Sequence, residues 1–435
     1  MPFDRPARPA SSARRIAVIG AGISGMGAAH ALALDHRVTL IESRRRLGGH
    51  ARTRMAGPDA DASVDTGFIV FNHANYPNLV ALFTELGVET RPSQMSFSAS
   101  IDGGRLEYAL HSLSALFAQR RNLLRPSFLR MVRDILRFNK HGLALAEARP
   151  DLTVGGLIDE LGLSAAFRDH YLTPFSGAIW STPKEKILSF PALALLRFFE
   201  NHALLGAYGQ HQWHTVAGGS AAYVSRLEAA LTRRGVELRA SAPARAVRRV
   251  PGGVEVRQEG GEFELFDEVV LACHSDDALA LLSDATDDER ANLGAIRYQP
   301  NAVVLHSDTS VMPQRRKVWA AWNYTETHDG PRDEIDLTYW MNALQPWLTG
   351  RDYMVTLNTT RPIREDLIWD CTELRHPVYD TGAFAAQARV ARTNGARGTW
   401  FCGAWMKNGF HEDGLASAYD VVTGINAART RVAAE

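Results

Sequence analysis

The segment Ile16-Ala-Val-Ile-Gly-Ala-Gly-Ile-Ser-Gly-Met-Gly-Ala-Ala-His-Ala-Leu32 decides how the chain is organised. Its first four residues are apolar and mostly β-branched, which predicts a buried strand. The motif Gly20-x-Gly22-x-x-Gly25 follows, and then an Ala-rich run that favours a helix. In such a unit the first glycine permits a tight turn, the second lets a phosphate approach, and the third lets the helix pack on the strand. The segment therefore predicts a dinucleotide site, with phosphates at the helix N-terminus.

The next strand strengthens this interpretation. The run Arg37-Val-Thr-Leu-Ile-Glu42 is apolar and ends in an acid. Glu42 lies about 20 residues past the glycines, where a carboxylate can accept a ribose hydroxyl. The alternative is a structural turn followed by an unrelated surface glutamate. It explains the sequence of strand, turn, helix, strand and acid less well than a dinucleotide site does. At this point both NAD and FAD fit the pattern.

Composition excludes several classes of protein. The chain has 435 residues, more than one core usually serves, so we expect two domains. Lys plus Arg equals Asp plus Glu at 48 each, so net charge gives no indication of nucleic acid as a partner. The three cysteines, Cys273, Cys371 and Cys402, are far apart and predict neither a disulfide framework nor a metal site. A cytoplasmic setting follows from that cysteine usage.

The first residues predict a tail rather than a targeting signal. Residues 1–15 are rich in Pro, Arg and Ser, which predicts disorder. Arg14-Arg15 before an apolar stretch resembles a twin-arginine export signal, but that stretch is itself the nucleotide-binding strand and helix. No other run of about 18 apolar residues is present, so we expect no membrane span.

Further motifs resemble a known family. Glu42-x-Arg44-x-Arg46-x-Gly48-Gly49 is followed by Thr53 and then by Asp65-x-Gly67. This pattern resembles the FAD signature of the flavin amine oxidase and phytoene desaturase superfamily. Family members usually carry Arg directly after Gly-Gly, where this chain has His50, and the charge of an imidazole depends on pH near neutrality.

The resemblance implies an FAD site built from separated parts of the chain. The Gly-Gly loop would lie along the pyrophosphate, the Asp-x-Gly strand would pass the flavin ring, and the last helix would point its N-terminus at the ring. The residues that match the family pattern are Gly20, Gly22, Ile23, Ser24, Glu42, Ser43, Arg44, Gly48, Gly49, His50, Thr66, Gly67, Phe68, Ile69, Ala244, Ala272, Gly403, Ala404, Asp413, Gly414 and Leu415. A second departure is Ala404, where many members carry an acid.

The resemblance also implies the fold and its division. We expect an α/β, Rossmann-like FAD-binding domain, a parallel sheet with an antiparallel hairpin layer, and an inserted α+β substrate domain. The predicted ranges are 16–74, 216–290 and 394–435 for the FAD domain, and 75–215 and 291–393 for the substrate domain. Within the latter, apolar alternating runs near residues 318–324, 335–341 and 353–357 predict an antiparallel sheet. Trp322, Tyr324, Tyr339 and Trp340 are its candidate substrate contacts, although such aromatics more often fill a core.

One predicted helix, Phe128 to Lys140, is basic on one side. Arg130, Arg133, Arg137 and Lys140 recur at helical spacing, with Phe128, Val132, Ile135 and Leu136 opposite. A surface helix with its apolar side on the core is the preferred interpretation. The alternative is peripheral contact with an anionic membrane surface, at the inner face of the membrane.

The function remains open at the level of substrate. The runs near residues 179–181, 198–202, 341–345 and 409–414 resemble a bacterial subgroup linked to cyclopropane or methylated fatty acids, which implies a desaturase or oxidase of a hydrophobic acyl lipid. The alternatives are an amine oxidase that releases peroxide, and a non-catalytic flavin-binding protein. His411 is the candidate base for the second proton of a desaturation, with a packed histidine as the equal alternative. Glu412 or Asp413 fits a helix cap equally well.

Overall fold

The computed structural model describes residues 13–180, 187–206, 211–327 and 336–432. Most of the predicted tail, residues 1–12, lies outside this part of the chain. The chain divides into two compact units: residues 1–49, 223–296 and 385–435 form the first, and residues 50–222 and 297–384 form the second. The ranges predicted for the FAD domain and the substrate domain, with a first boundary at 74/75, describe which part of the chain would serve which ligand. They remain a prediction, because the compact units divide the chain by its internal contacts instead.

The strands of the described residues follow in chain order. They are β1 (Arg15–Ile19), β2 (Arg37–Ile41), β3 (Thr53–Ala56), β4 (Ala62–Asp65), β5 (Val70–Asn72), β6 (Thr90–Ser93), β7 (Phe97–Ile101), β8 (Leu106–Ala109), β9 (Trp213–Val216), β10 (Glu237–Arg239), β11 (Ala244–Val250), β12 (Gly253–Gln258), β13 (Phe263–Phe266), β14 (Glu268–Leu271), β15 (Arg297–His306), β16 (Trp322–Thr325), β17 (Asp336–Trp340), β18 (Met354–Leu357), β19 (Ile368–Val378) and β20 (Thr399–Phe401).

The α-helices of the described residues are α1 (Ile23–Leu32), α2 (Pro77–Leu86), α3 (Leu113–Leu116), α4 (Pro126–Ala148), α5 (Val154–Glu160), α6 (Ala165–Phe167), α7 (Thr173–Trp180), α8 (Ala192–Asn201), α9 (Ala221–Arg233), α10 (Ser275–Leu281), α11 (Asp287–Gly294), α12 (Met341–Leu344), α13 (Thr381–Thr393) and α14 (His411–Val432). A π-helical turn, Arg168–Leu172, precedes α7, and short 3-10 turns include Arg120–Leu124 and Ala404–Met406. Among the described residues, no helix has both the length and the apolar character that crossing a bilayer requires.

The first unit is built on a parallel sheet of order β10-β2-β1-β14-β20. The central strand β1 pairs in parallel with both β2 and β14, and its residues from Ile16 to Ile19 are buried. Continuous apolar strands of this kind are expected where both faces of a sheet are covered. An antiparallel layer β11-β12-β13 turns at Gly252-Gly253 and Gly260-Gly261 and forms the predicted hairpins. The predicted fold class is confirmed.

The second unit contains a seven-stranded sheet of order β19-β15-β18-β17-β16-β7-β8. Its strands β16, β17 and β18 pair antiparallel, as the three alternating runs predict. Two smaller sheets, β3-β4 and β5-β9-β6, the helices from α2 to α8 and the short helix α12 also belong to this unit.

Candidate functional site

The turn after β1 needs glycine at two positions. Gly20 has a φ of +101°, and a Cβ there would lie 2.8 Å from the carbonyl oxygen of Ala272. A Cβ on Gly25 would lie 1.8 Å from the carbonyl oxygen of Gly20. These distances are shorter than any van der Waals contact, so strand and helix approach each other backbone to backbone. Local sterics therefore produce the predicted strand–turn–helix.

The helix N-terminus that follows has no capping side chain. Gly22 is the N-cap of α1, and no side-chain oxygen accepts a hydrogen bond there. A Cβ added to Gly22 would have one neighbour within 4 Å among the described atoms, the Cα of Gly49 at 4.0 Å. Beside the first turn, which carries the buried Ile23 and Ser24, there is thus free space for at least a methyl group at Gly22, and the uncapped N–H groups of such a helix start favour an anion.

The second glycine loop lies against this turn. The Gly48 N–H donates to the carbonyl oxygen of Ala21 at 2.7 Å, and a Cβ on Gly49 would lie 2.9 Å from the Gly22 Cα. Arg46 donates from Nη2 to the carbonyl oxygen of Gly49 at 2.7 Å. Arg46 therefore holds the loop in place, while Arg44 is exposed.

Glu42 points back across the glycine turn. One carboxylate oxygen accepts the Ala21 N–H at 2.8 Å, and the other accepts the Arg44 N–H at 2.8 Å and the Ser43 hydroxyl at 3.1 Å. The Ala242 N–H donates to the Glu42 carbonyl oxygen at 2.9 Å, which brings the segment before Ala244 to the same strand end. The predicted adenosine-side residues Glu42, Ser43 and Ala244 are thus gathered at the end of β2.

A second helix N-terminus meets the first. A Cβ on Gly414, in the first turn of α14, would lie 2.7 Å from the Ser24 Oγ, and a Cβ on Gly27 would lie 2.3 Å from the Leu415 Cδ1. The first turns of α1 and α14 therefore pack side by side. Both helix starts carry partial positive charge, so this junction favours a bound anion.

The last strand leads directly into this junction. The Gly403 N–H donates to the Ser417 Oγ at 2.9 Å, and that hydroxyl donates to the carbonyl oxygen of Gly414 at 2.8 Å. Ser417 thus fixes the end of β20, and with it the half-buried Ala404, against the start of α14. Helix α14 begins at His411, so neither Glu412 nor Asp413 is its N-cap; Asp413 is the third residue of the helix and accepts the Phe410 N–H at 2.9 Å, the return bond of a capping box. Burial raises the pKa of Asp413 to about 6.

His411 is paired with a tyrosine that the sequence does not reveal. The His411 Nε2 lies 2.6 Å from the Tyr223 hydroxyl, and the rings meet edge to face at 5.7 Å. Tyr223 is buried. The two residues are 188 positions apart, so no local spacing could have indicated the contact.

The remaining predicted cofactor residues lie in the second unit, around Gly67. A Cβ on Gly67 would lie 1.9 Å from the carbonyl oxygen of His50, and the Phe68 N–H donates to the same oxygen at 2.9 Å. The Thr66 N–H donates to the carbonyl oxygen of Arg52 at 2.8 Å, and Gly67 to Ile69 are half-buried. This glycine, like Gly25, is required by backbone contact.

Two residues before Gly67 lies the acid of the Asp-x-Gly motif, Asp65, which is buried. Asp65 is 0% exposed and accepts hydrogen bonds from the Thr53 hydroxyl at 2.6 Å, the Ser220 N–H at 2.9 Å and the Gln345 amide at 2.8 Å. Burial raises its pKa to about 6 despite these donors. Its partners Ser220 and Gln345 come from distant segments, so no local spacing could have indicated them.

The structure separates the four candidate substrate aromatics into two groups. Trp322 and Tyr339 are cross-strand neighbours with ring centroids 5.4 Å apart, and Tyr324 follows on the same face of the sheet. Trp340 lies on the opposite face, where it packs with Met312, Trp319 and Met354. The geometry therefore groups the first three and leaves Trp340 out.

A sequence model identifies the family. Residues 23–339 match the flavin containing amine oxidoreductase family. The chain belongs to this family. It is accordingly an FAD-dependent oxidoreductase of the amine oxidase family.

Solved structures share the fold of this flavin oxidoreductase at low identity. A CLA-producing fatty acid isomerase from P. acnes is 17% identical with a TM-score of 0.67, and 95% of this chain and 99% of that chain are covered. Cyclohexylamine oxidase from Brevibacterium oxydans IH-35A is 17% identical with a TM-score of 0.65, and the match covers 95% of this chain and 100% of that chain. Wild-type putrescine oxidase is 15% identical with a TM-score of 0.64, and the match covers 95% of this chain and 99% of that chain. No curated protein sequence matches the chain.

Proposed function

We propose that the first unit holds FAD through the junction of α1 and α14. The proposal is supported by the uncapped N-terminus at Gly22, the free space beside it, and the packing of Gly414 against Ser24. Glu42 would accept a ribose hydroxyl in place of one of its present donors. The residues that match the family pattern around Gly67, including His50 and Phe68, are also proposed as FAD contacts.

The substrate that we propose is an apolar acyl lipid, a methylated or unsaturated fatty acyl chain, with the enzyme acting as a desaturase or oxidase. The observation that carries this proposal is the apolar face of the seven-stranded sheet. Half-buried Trp322 and Tyr339 lie on it, and their register neighbours Phe97 and Val355 continue it. The opposite face carries the polar pairs Ser98–Asn323 and Thr338–Thr356.

The arrangement of these rings favours a lipid over an amine. An amine held between two aromatic side chains needs ring faces with space between them. The rings of Trp322 and Tyr339 instead meet edge to face at 82° and touch each other. They form a continuous apolar wall, which suits an alkyl chain. One structure of the same fold is named as a fatty acid isomerase, so the fold is compatible with a fatty acid.

The proton chemistry is assigned to the pair His411 and Tyr223. FAD, when bound, supplies the acceptor for a hydride. Forming a C=C bond also releases a proton from the neighbouring carbon. We propose that His411 takes up this proton, because the Tyr223 hydroxyl at 2.6 Å orients its imidazole and can relay the proton.

Anaerobic reduction of the bound flavin tests the substrate class. The holoenzyme is mixed under anaerobic conditions with pooled lipid fractions and, separately, with an amine panel. The expected result is loss of the oxidised flavin absorbance with a lipid fraction, whose product mass analysis identifies as two hydrogens lighter. His411→Gln should slow this reduction by about 10²- to 10⁴-fold while it retains bound FAD.

Each alternative has its own outcome. Reduction by amines alone, with peroxide release in air, would replace the lipid proposal with an amine oxidase. No reduction by any fraction would favour a non-catalytic flavin-binding protein. Lys407→Gln is a suitable control for His411→Gln, because Lys407 is four residues away and forms a surface ion pair with Asp420.

A further inference from the structure

Exposed leucines are concentrated in one segment of the second unit. Of the nine exposed large hydrophobic side chains in the described residues, six lie between residues 110 and 136: Leu110, Leu113, Leu123, Leu124, Leu129 and Leu136. Leu124 is 86% exposed and Leu113 is 73% exposed. Single exposed leucines are ordinary, but a group within one segment marks an interaction surface.

The same segment is strongly basic. Between residues 119 and 141 there are seven Lys and Arg residues and a single acid, Asp134. The exposed cations are Arg120, Arg121, Arg130, Arg133, Arg137 and Lys140. Asp134 is buried and accepts the Ser164 N–H at 2.9 Å. Among these exposed cations, its ion-pair partner is Arg133. In the described part of the chain, no acid pairs with Arg130, Arg137 or Lys140, so most of this charge is not neutralised.

On helix α4 the leucines and the cations share one face. The buried side of the helix is formed by Phe128, Met131 and Phe138. Leu129, Arg133, Leu136 and Lys140 are spaced i, i+4, i+7 and i+11, so they form one stripe on the opposite, exposed side. The sequence prediction that Leu136 faces the core is therefore wrong: Leu136 is 60% exposed. The basic side of this helix is itself apolar in part.

The segment is held rigidly in this orientation. Arg121 and Arg125 both donate to the carbonyl oxygen of Arg105, at 2.6 Å and 2.9 Å. Burial and the neighbouring cations Arg121 and Arg105 lower the pKa of Arg125. The Phe128 ring packs edge to face on Phe117, at 5.9 Å, on the buried side. The exposed leucines are thus presented by a fixed scaffold, which reduces the entropy that binding must overcome.

We propose that this leucine and arginine surface, formed by Leu113 to Lys140, docks the protein on an anionic lipid membrane. Leucine side chains enter the acyl boundary while Lys and Arg lie among anionic headgroups, which is how basic amphipathic helices bind in the interface. A second copy of the chain is disfavoured as the occupant, because a symmetric contact would place the cations of both copies against each other. Exposed leucines at this density also disfavour a nucleic acid. The inference does not depend on the proposed substrate.

Vesicle sedimentation tests the docking surface. The holoenzyme is mixed with phosphatidylcholine vesicles with and without phosphatidylglycerol. We expect binding to the anionic vesicles alone, and loss of most binding between about 0.1 M and about 1 M NaCl, where the Debye length falls to about 3 Å. Arg130→Gln/Arg137→Gln/Lys140→Gln should weaken partitioning on the order of 100-fold. Leu113→Ser/Leu124→Ser should weaken it by at least about tenfold.

Matched variants elsewhere serve as controls. Leu34→Ser/Leu265→Ser removes two other exposed leucines, and Arg233→Gln/Arg290→Gln/Arg392→Gln removes three other exposed cations. Neither should change vesicle binding, and all variants should retain bound FAD and the same unfolding temperature. Equal binding to both kinds of vesicle, equal effects of test and control variants, or a dimer that dissociates in Leu113→Ser/Leu124→Ser would overturn the proposal.

Discussion

At the scale of single residues, contacts between distant positions set the environment of buried charged groups. Asp65 is an example, because its donors Thr53, Ser220 and Gln345 come from three segments of the second unit. These donors stabilise the carboxylate, yet burial raises its pKa to about 6. Such a group makes the stability of the fold depend on pH.

The raised pKa of Asp65 predicts a loss of stability with rising pH. In the unfolded chain its pKa is near 3.8, so between that value and about 6 the folded state binds more protons than the unfolded state. The contribution of Asp65 to the free energy of unfolding therefore falls across this window, by up to about 3 kcal/mol, and is constant above it. Denaturant unfolding of the wild type and of Asp65→Asn, from about pH 4 to about pH 7, measures this difference.

Asp59, which is exposed, provides the control. The difference in unfolding free energy between the wild type and Asp59→Asn should not change across the same window. If the difference in unfolding free energy between the wild type and Asp65→Asn were also independent of pH, the raised pKa of Asp65 would be contradicted.

At the scale of elements, backbone contacts through glycine position the helices and strands. Gly25 brings α1 onto the turn after β1, and Gly414 brings α14 onto α1. The first contact could be predicted from sequence, because the GxGxxG spacing is local. The second could not, because Ser24 and Gly414 are distant in the chain. Helix α4 shows a related limit: its periodicity predicted a helix, but not which of its leucines are exposed.

Gly25→Ala should disrupt the first unit. Its new methyl group would lie 1.8 Å from the carbonyl oxygen of Gly20, a backbone atom that cannot move without displacing β1 or α1. We expect a loss of about 3 kcal/mol in the free energy of unfolding and, with it, loss of bound FAD. Thermal unfolding and the absorbance of copurified flavin measure both effects.

Gly261→Ala is the matched control, because its nearest atom, the Gln258 carbonyl oxygen, would be 3.7 Å from the new Cβ. It should retain the stability of the wild type within about 0.5 kcal/mol. If Gly25→Ala were as stable as Gly261→Ala, the close packing of turn and helix would be refuted.

At the scale of the whole molecule, the sequence predicted the α/β class, the parallel sheet of the first unit and the antiparallel strands β16 to β18. The strand–turn–helix of β1 and α1 and the antiparallel runs follow from local apolar patterns and turn residues, whereas the α/β class with its parallel sheet was implied by the family resemblance. The pairing of Tyr223 with His411 and the exposed leucines around α4 could not be predicted, because tertiary packing decides them. The edge-to-face contact of Trp322 with Tyr339 also depends on strand register, which a single sequence does not specify.

The central claim is that the chain binds FAD at the uncapped start of α1, and Gly22→Ala tests it most directly. Gly22 has a φ of −75°, and a Cβ there would meet nothing nearer than the Gly49 Cα at 4.0 Å, so the apoprotein should fold normally. The methyl group would occupy the space that a phosphate needs. Titration of the apoprotein with FAD should therefore show affinity reduced about 10- to 100-fold, as expected for lost charge-assisted hydrogen bonds, with an unchanged apoprotein unfolding temperature. Wild-type affinity for FAD in Gly22→Ala would contradict the account.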